Sequence, residues 1–153
     1  MITAGKSQIM LRRNLWITDY TNENEKYLEI FEAYLREKGL SDNTISTHMG
    51  NAAFYISTFL PWAGRVTLSE GCFNISEFFG HYFIRKCMWS TPATIKSIAA
   101  SLKKFYKCMM ENGFVEETDY KNFCEEVKYE MEDWQETCRQ YNDPAIENPF
   151  FVF

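Results

Sequence analysis

The sequence predicts an all-α fold, and three observations predict it. Apolar residues recur at three- and four-residue spacing in five successive stretches, each stretch is bounded by residues that start or stop helices, and no alternating run is long enough for a sheet. At 153 residues with 46% hydrophobic content and only 7 Gly and 4 Pro, the chain buries a core of its own, and one domain is expected. No internal repeat or low-complexity tract interrupts it.

Each element follows in order. Residues 1–20, which include Trp16 and Tyr20, show no clear period and read as a lead-in. Thr21 or Asn22 then caps a first helix with Glu23 and Glu25 in its opening turn, Tyr27, Ile30, Phe31, Tyr34 and Leu35 on its apolar side, and Gly39 at its end. Ser41 or Asp42 caps a second helix, whose packing face is Ile45, Met49, Ala52, Ile56, Phe59 and Leu60 and whose expected stop is Pro61. Between Trp62 and Phe73, Gly64 and Gly71 flank Val66 and Leu68, a connection with room for a short extended piece. A third helix is expected from about Asn74 to Lys86, packing through Ile75, Phe78, Phe79, Tyr82 and Phe83. Ser90 or Thr91 caps a fourth, of about twenty residues. Pro92 sits in its first turn, where a missing N–H costs nothing, and Asn112-Gly113 gives a left-handed stop. From Thr118 to about Gln140 runs an acidic amphipathic helix with Tyr120, Phe123, Val127, Met131, Trp134 and Cys138 on one face. The expected divisions are therefore a lead-in at 1–20, a helical domain at 21–115, the acidic helix at 116–140 on or beside it, and an apolar tail at 141–153 that ends NPFFVF.

Composition narrows the function classes. No apolar run approaches the ~20 residues that cross a bilayer, so no membrane association is expected, and the opening MITAGKSQIMLRR lacks the apolar stretch and cleavage site of a secretory signal. The expectation is a cytosolic protein. Five cysteines, Cys72, Cys87, Cys108, Cys124 and Cys138, are an odd number without a C-x-x-C pair and read as reduced thiols. His48 and His81 lie far apart in sequence and beside no cysteine pair, so neither a metal site nor a cofactor is expected. G-x-S-x-G, H-E-x-x-H and glycine-rich phosphate loops are all absent, and no enzyme signature is visible.

The net charge of −5 conceals two unlike parts. Up to Lys107 there are 13 Lys and Arg against 9 Asp and Glu, a net +4; beyond it 3 stand against 12, a net −9. On the fourth helix Lys96, Lys103 and Lys107 stack within about 40° at 100° per residue, with Lys104, Ser97 and Ser101 adjacent. Four ammonium groups on one strip suit a phosphate backbone, and they equally suit plain solvation of an exposed helix. The second helix offers a strip of Thr44, His48, Asn51 and Tyr55, flanked by Thr47 and Thr58 and free of acid. Its hydroxyl, amide and imidazole groups fit phosphate, sugar or base edges, and the helix start at Asn43 and Thr44 adds anion affinity. The same strip also reads as an ordinary polar face. Arg65, Arg85 and Lys86 are further cations of the same double reading.

Two runs, FEAYLREKGLSDNTISTHMGNAAFYISTFL and WSTPATIKSIAASLKKFYKCMMENGFV, carry a resemblance to a known family. Tyr34-Leu35, Gly39-Leu40-Ser41, Thr44-Ile45 and Phe59-Leu60, followed by Thr94-Ile95, Leu102, Phe105-Tyr106 and Gly113, keep the order of features of the N-terminal core-binding domain of tyrosine recombinases and phage integrases. The resemblance covers residues from about 27 to 115. It implies a SAM-like four-helix bundle, here with an additional C-terminal acidic helix, that clasps duplex DNA through the second and fourth helices. By position it carries DNA contact to Asn43, Thr44 and His48, and to Thr94, Lys96, Ser97, Lys103 and Lys104; the polar strip and the lysine strip add Asn51 and Lys107. In the family a catalytic domain with a tyrosine nucleophile follows. In this sequence the acidic helix stands at that point, and no Tyr has the surrounding Arg and His such chemistry needs.

The expectation is thus a DNA-binding domain without catalysis, its partner double-stranded DNA, with a recombinase, or a second copy held by the apolar tail, as further partners. The rival expectation is a protein-interaction or regulatory module that keeps the fold, with the acidic helix masking or replacing DNA contact.

Overall fold

The computed structural model describes the backbone of residues 2–64 and 67–146, with side chains from Tyr20 onward. It is all-helical, with no strand among these residues. α1 spans Ile2–Glu37. α2 spans 42–62 as an α-helical Asp42–Ala53, a π-helical Phe54–Phe59 and a last turn Leu60–Trp62. A 3₁₀ turn, Ser69–Phe73, leads into α3, residues 75–86, which again holds a π stretch at Phe78–Tyr82. α4 is Pro92–Glu111 and α5 is Glu117–Asn142.

The predicted boundaries hold where cap chemistry is strong. Ser41 accepts the Thr44 N–H at the start of α2. Thr91 and Thr94 form a reciprocal capping box at the start of α4, with Thr94 N–H on Thr91 Oγ1 at 3.1 Å and Thr91 N–H on Thr94 Oγ1 at 2.7 Å. Gly39 and Gly113 take φ of +76° and +80° and close α1 and α4 through backbone bonds that reach back to Leu35 and Met109.

Two expectations are corrected. Thr21 and Asn22 do not cap α1, because the helix is continuous from Ile2 and the lead-in belongs to it. The stretch before Ile75 contains a 3₁₀ turn at Ser69–Phe73, and the extended piece expected near Val66 falls partly outside the described residues, which omit Arg65 and Val66. Pro61 does not stop α2, which runs on to Trp62 before Gly64 at φ +75° ends the segment.

The physical reason for the last correction lies in α1. The π pattern of Phe54–Phe59 would pair the Ile56 carbonyl with the N–H of residue 61, and proline has none. Tyr20 Oη and Asn24 Nδ2, the latter at 3.2 Å, donate to that carbonyl instead. Asn24 is buried at this carbonyl, and among the described residues no buried side-chain polar atom is left without a hydrogen-bond partner.

All five helices feed one core. Phe31 and Leu35 of α1, Tyr55, Ile56 and Phe59 of α2, Phe78, Phe79 and Phe83 of α3, Ile95, Leu102 and Phe105 of α4, and Phe123 and Trp134 of α5 are all buried. The two π stretches face each other through aromatic rings, with Phe59 and Phe78 4.9 Å apart and Phe59 and Tyr82 5.0 Å apart. α5 is integral to this core: it packs along α4, and Trp134 lies 5.0 Å from Phe79 of α3. Among the described residues no helix is long and apolar enough to cross a membrane.

Candidate nucleic-acid interface

α4 divides its surface cleanly. Ile95, Ile98, Ala99, Leu102, Phe105, Tyr106 and Met109 are buried, whereas Lys96, Lys104 and Lys107 are exposed and Lys103 is half-buried. The four ammonium groups therefore share the outward side of one helix. No carboxylate among the described residues comes within 4.0 Å of any of them.

A fifth cation joins them that the sequence reading passed over. Lys128 of α5 lines a groove of about 320 Å³ with Lys96 and Lys103, floored by Ala99, Ala100, Val127 and Met131, and it too has no ion pair among the described residues. A signal for it was present. At 100° per residue Lys121, Lys128 and Arg139 fall within about 20° of one another on α5, a strip shared with Glu117, Glu125, Glu132 and Glu136. Lys121 and Arg139 are each held by an acid of their own helix, Glu117 and Glu136, at 3.0 Å.

Beyond exposed Thr44, the second-helix strip is not a solvated face. Tyr55 is fully buried and its hydroxyl donates to the Gly71 carbonyl at 2.6 Å. His48 Nδ1 lies 2.7 Å from Ser101 Oγ, and Asn51 Nδ2 donates to the same oxygen at 2.9 Å. The strip is the side of α2 that packs on α4, and buried Ser101, which also donates to the Ser97 carbonyl, is the joint between them. A single sequence does not show that a serine on one helix meets a histidine and an asparagine on another.

His48 is half-buried beside Lys104. Desolvation first, and the Lys104 charge second, lower the pKa of its imidazole from the ordinary value. Asn43 and Thr44 are exposed at the start of α2, where Thr44 Oγ1 accepts from Ser41. Thr94 is occupied by the capping box, and Ser97 is exposed on the lysine side of α4. Of the ten residues read as DNA contacts, five thus stand free on a common side and three are engaged within the fold; Asn43 and Thr44 flank them at the next helix start.

Nucleophilic chemistry has little to work with. Burial pushes the Cys72 thiol up to about 12 and the Cys108 thiol up to about 11, and burial also raises Cys87 and Cys138. Among the described residues no three His, Cys, Asp or Glu side chains gather as metal ligands would. No family model, curated protein or solved structure matches the chain.

Proposed function

We propose that this chain binds double-stranded DNA without cutting it, in the manner of the core-binding domains it resembles, through the outward side of α4. The observation that carries the reading is the set of four ammonium groups of α4, Lys96, Lys103, Lys104 and Lys107, on the outward side of one helix with no acid bound to any of them among the described residues; Lys128 adjoins them across the groove and also lines a hollow with Glu125, Glu126 and Glu132. A surface evolved only for solubility mixes the two signs, as the outer side of α5 does. Among the described residues no acid of α5 is ion-paired with a lysine of α4, so a masking role for this helix would have to act at longer range. His48 and Asn51 support the interface from behind by fixing the angle at which α2 meets α4. A recombinase working on the same DNA is the natural companion, since one domain with about five phosphate contacts binds weakly and loses affinity steeply with salt.

The test is fluorescence anisotropy with a labelled duplex of about 25 base pairs at low and at physiological salt. The wild-type chain binds at low salt, and Lys103→Glu with Lys104→Glu weakens binding at least about tenfold, because two attractions become repulsions. Equal affinity for the two proteins would end the proposal.

One observation favours a second reading, the protein-interaction module. Tyr129 stands 82% exposed on the acidic side of α5, near Glu125, Glu126 and Glu132, a ring set among carboxylates that would suit a basic protein partner. Absence of any duplex binding at low salt would move the function to that face.

A further inference from the structure

A second surface combines aromatic rings with cations. Where α2 ends, Trp62 projects 55% exposed, with its ring 4.7 Å from Tyr82 of α3 and the Lys86 ammonium 5.8 Å above it. Trp62, Tyr82 and Lys86, together with His81, Arg85 and Tyr141, line a hollow of about 310 Å³. No carboxylate lines it among the described residues. From Tyr82 the rings continue to Phe54 at 6.3 Å and from Phe54 to Trp89 at 5.9 Å; Trp89 is itself 53% exposed and follows the fully exposed Met88.

Scattered exposed aromatics need no explanation, but this set is contiguous, and cations flank one end of it. Trp89 meets buried Phe83 edge-on at 4.9 Å, and Trp62 packs at a shallow tilt against buried Phe59 at 6.2 Å, so both rings are anchored to the core at one side. Rings presented in a row suit flat, stackable partners. The nearby Lys86 favours partners that carry negative charge at one edge of each flat unit. Nucleotides with unpaired bases meet both conditions, and duplex DNA does not, because its bases are already stacked on each other.

We propose that this hollow and the aromatic row leading from it bind unpaired nucleotides of a single strand, with one base stacked on Trp62, a phosphate near Lys86, and a further base on Trp89. The proposal extends the reading of the chain as a nucleic-acid binder but uses none of the α4 lysines, so the two stand or fall separately. In combination they describe a protein that engages a duplex where a strand is locally unpaired.

The test titrates the tryptophan fluorescence of the full chain with an oligothymidylate of about 12 nucleotides, and in parallel with inorganic polyphosphate, which has the charge but no bases. The oligothymidylate quenches the emission and polyphosphate does not. Trp62→Ala weakens single-strand binding about tenfold and leaves duplex affinity within about twofold, and Lys103→Glu with Lys104→Glu gives the reverse pattern. Trp62 is half exposed, so its removal should be tolerated; if melting shows otherwise, the fully superficial change Lys86→Glu carries the same expectation. Unchanged single-strand affinity in either folded variant, or equal quenching by polyphosphate, overturns the proposal. Loss of duplex binding with single-strand binding intact would instead overturn the reading of the α4 face alone.

Discussion

α4 and α5 are the two most extensively packed neighbours in the molecule, and they treat their outer surfaces in opposite ways. Inward they are alike: Leu102, Phe105 and Tyr106 on one, Phe123, Val127 and Trp134 on the other, all buried in the same core. Outward, α4 shows lysines without ionic partners among the described residues, whereas α5 shows mostly acids and pairs Lys121 and Arg139, though not Lys128, with acids of its own. Packing needs only the inner stripe, and it leaves the sign of the outer surface undetermined. Opposite outer charge on two helices of one core therefore calls for a reason beyond stability, and an anionic partner on the α4 side supplies it.

The most damaging change to this pair is one that breaks the stripe they share. Phe105→Ala on α4 and Trp134→Ala on α5 should each cost about 3–5 kcal/mol by chemical denaturation, since both leave a cavity in the common core. If only one of the two did so, the helices would not be equivalent inward. Next comes Gly71→Ala, where a Cβ would run into the hydroxyl of buried Tyr106, which itself donates to the Leu68 carbonyl. A loss of about 1–3 kcal/mol is expected from overpacking against a ring that has no room to move.

Smaller effects sharpen the contrast between the outer faces. Ser101→Ala removes the oxygen shared by His48 and Asn51 and should lower stability by about 1 kcal/mol, readable as a fall in Tm. The smallest effect is the pH dependence of His48. Its pKa in the folded chain is lowered, so below the ordinary imidazole pKa the unfolded chain takes up the proton first. The contribution of His48 is present above about pH 6.5 and is lost as pH falls through the folded value. His48→Gln should flatten the Tm profile between about pH 7 and 5, and an unchanged slope would show that the ring is not desolvated at the joint.

Much of this was legible in the sequence because capping is local. Ser41, Thr91 with Thr94, Gly39 and Gly113 set their boundaries through contacts within a few residues. Long-range partners were not legible. The tolerance of Pro61 inside α2 depends on Tyr20 and Asn24, more than thirty residues earlier, and so did not show in the local pattern. The strip Thr44, His48, Asn51, Tyr55 read as solvated for the same reason: beyond Thr44 its polarity is answered by Ser101 and by the Gly71 carbonyl rather than by water. The lysine side of α4 was predictable, because the buried stripe of an amphipathic helix fixes what lies opposite. Lys128 was within reach of the same arithmetic and was hidden by the acidity of the helix that carries it. The NPFFVF tail, read as a docking segment, lies outside the described residues.

The core position of α5 also decides how its acids are to be tested. Cutting the chain near Glu116 would remove Phe123, Val127, Trp134 and Cys138 from the core and unfold what remains, so charge must be changed in place. The most direct measurement is the salt dependence of duplex affinity for three proteins: wild type, Lys103→Glu with Lys104→Glu, and Glu125→Gln with Glu132→Gln. The account predicts that wild type binds with a steep slope, that the lysine reversals lose at least about tenfold in affinity and about two units of slope, and that the α5 changes shift affinity by no more than about threefold. Equal affinity for wild type and the lysine variant, or a larger effect from the α5 acids than from the α4 lysines, would contradict it.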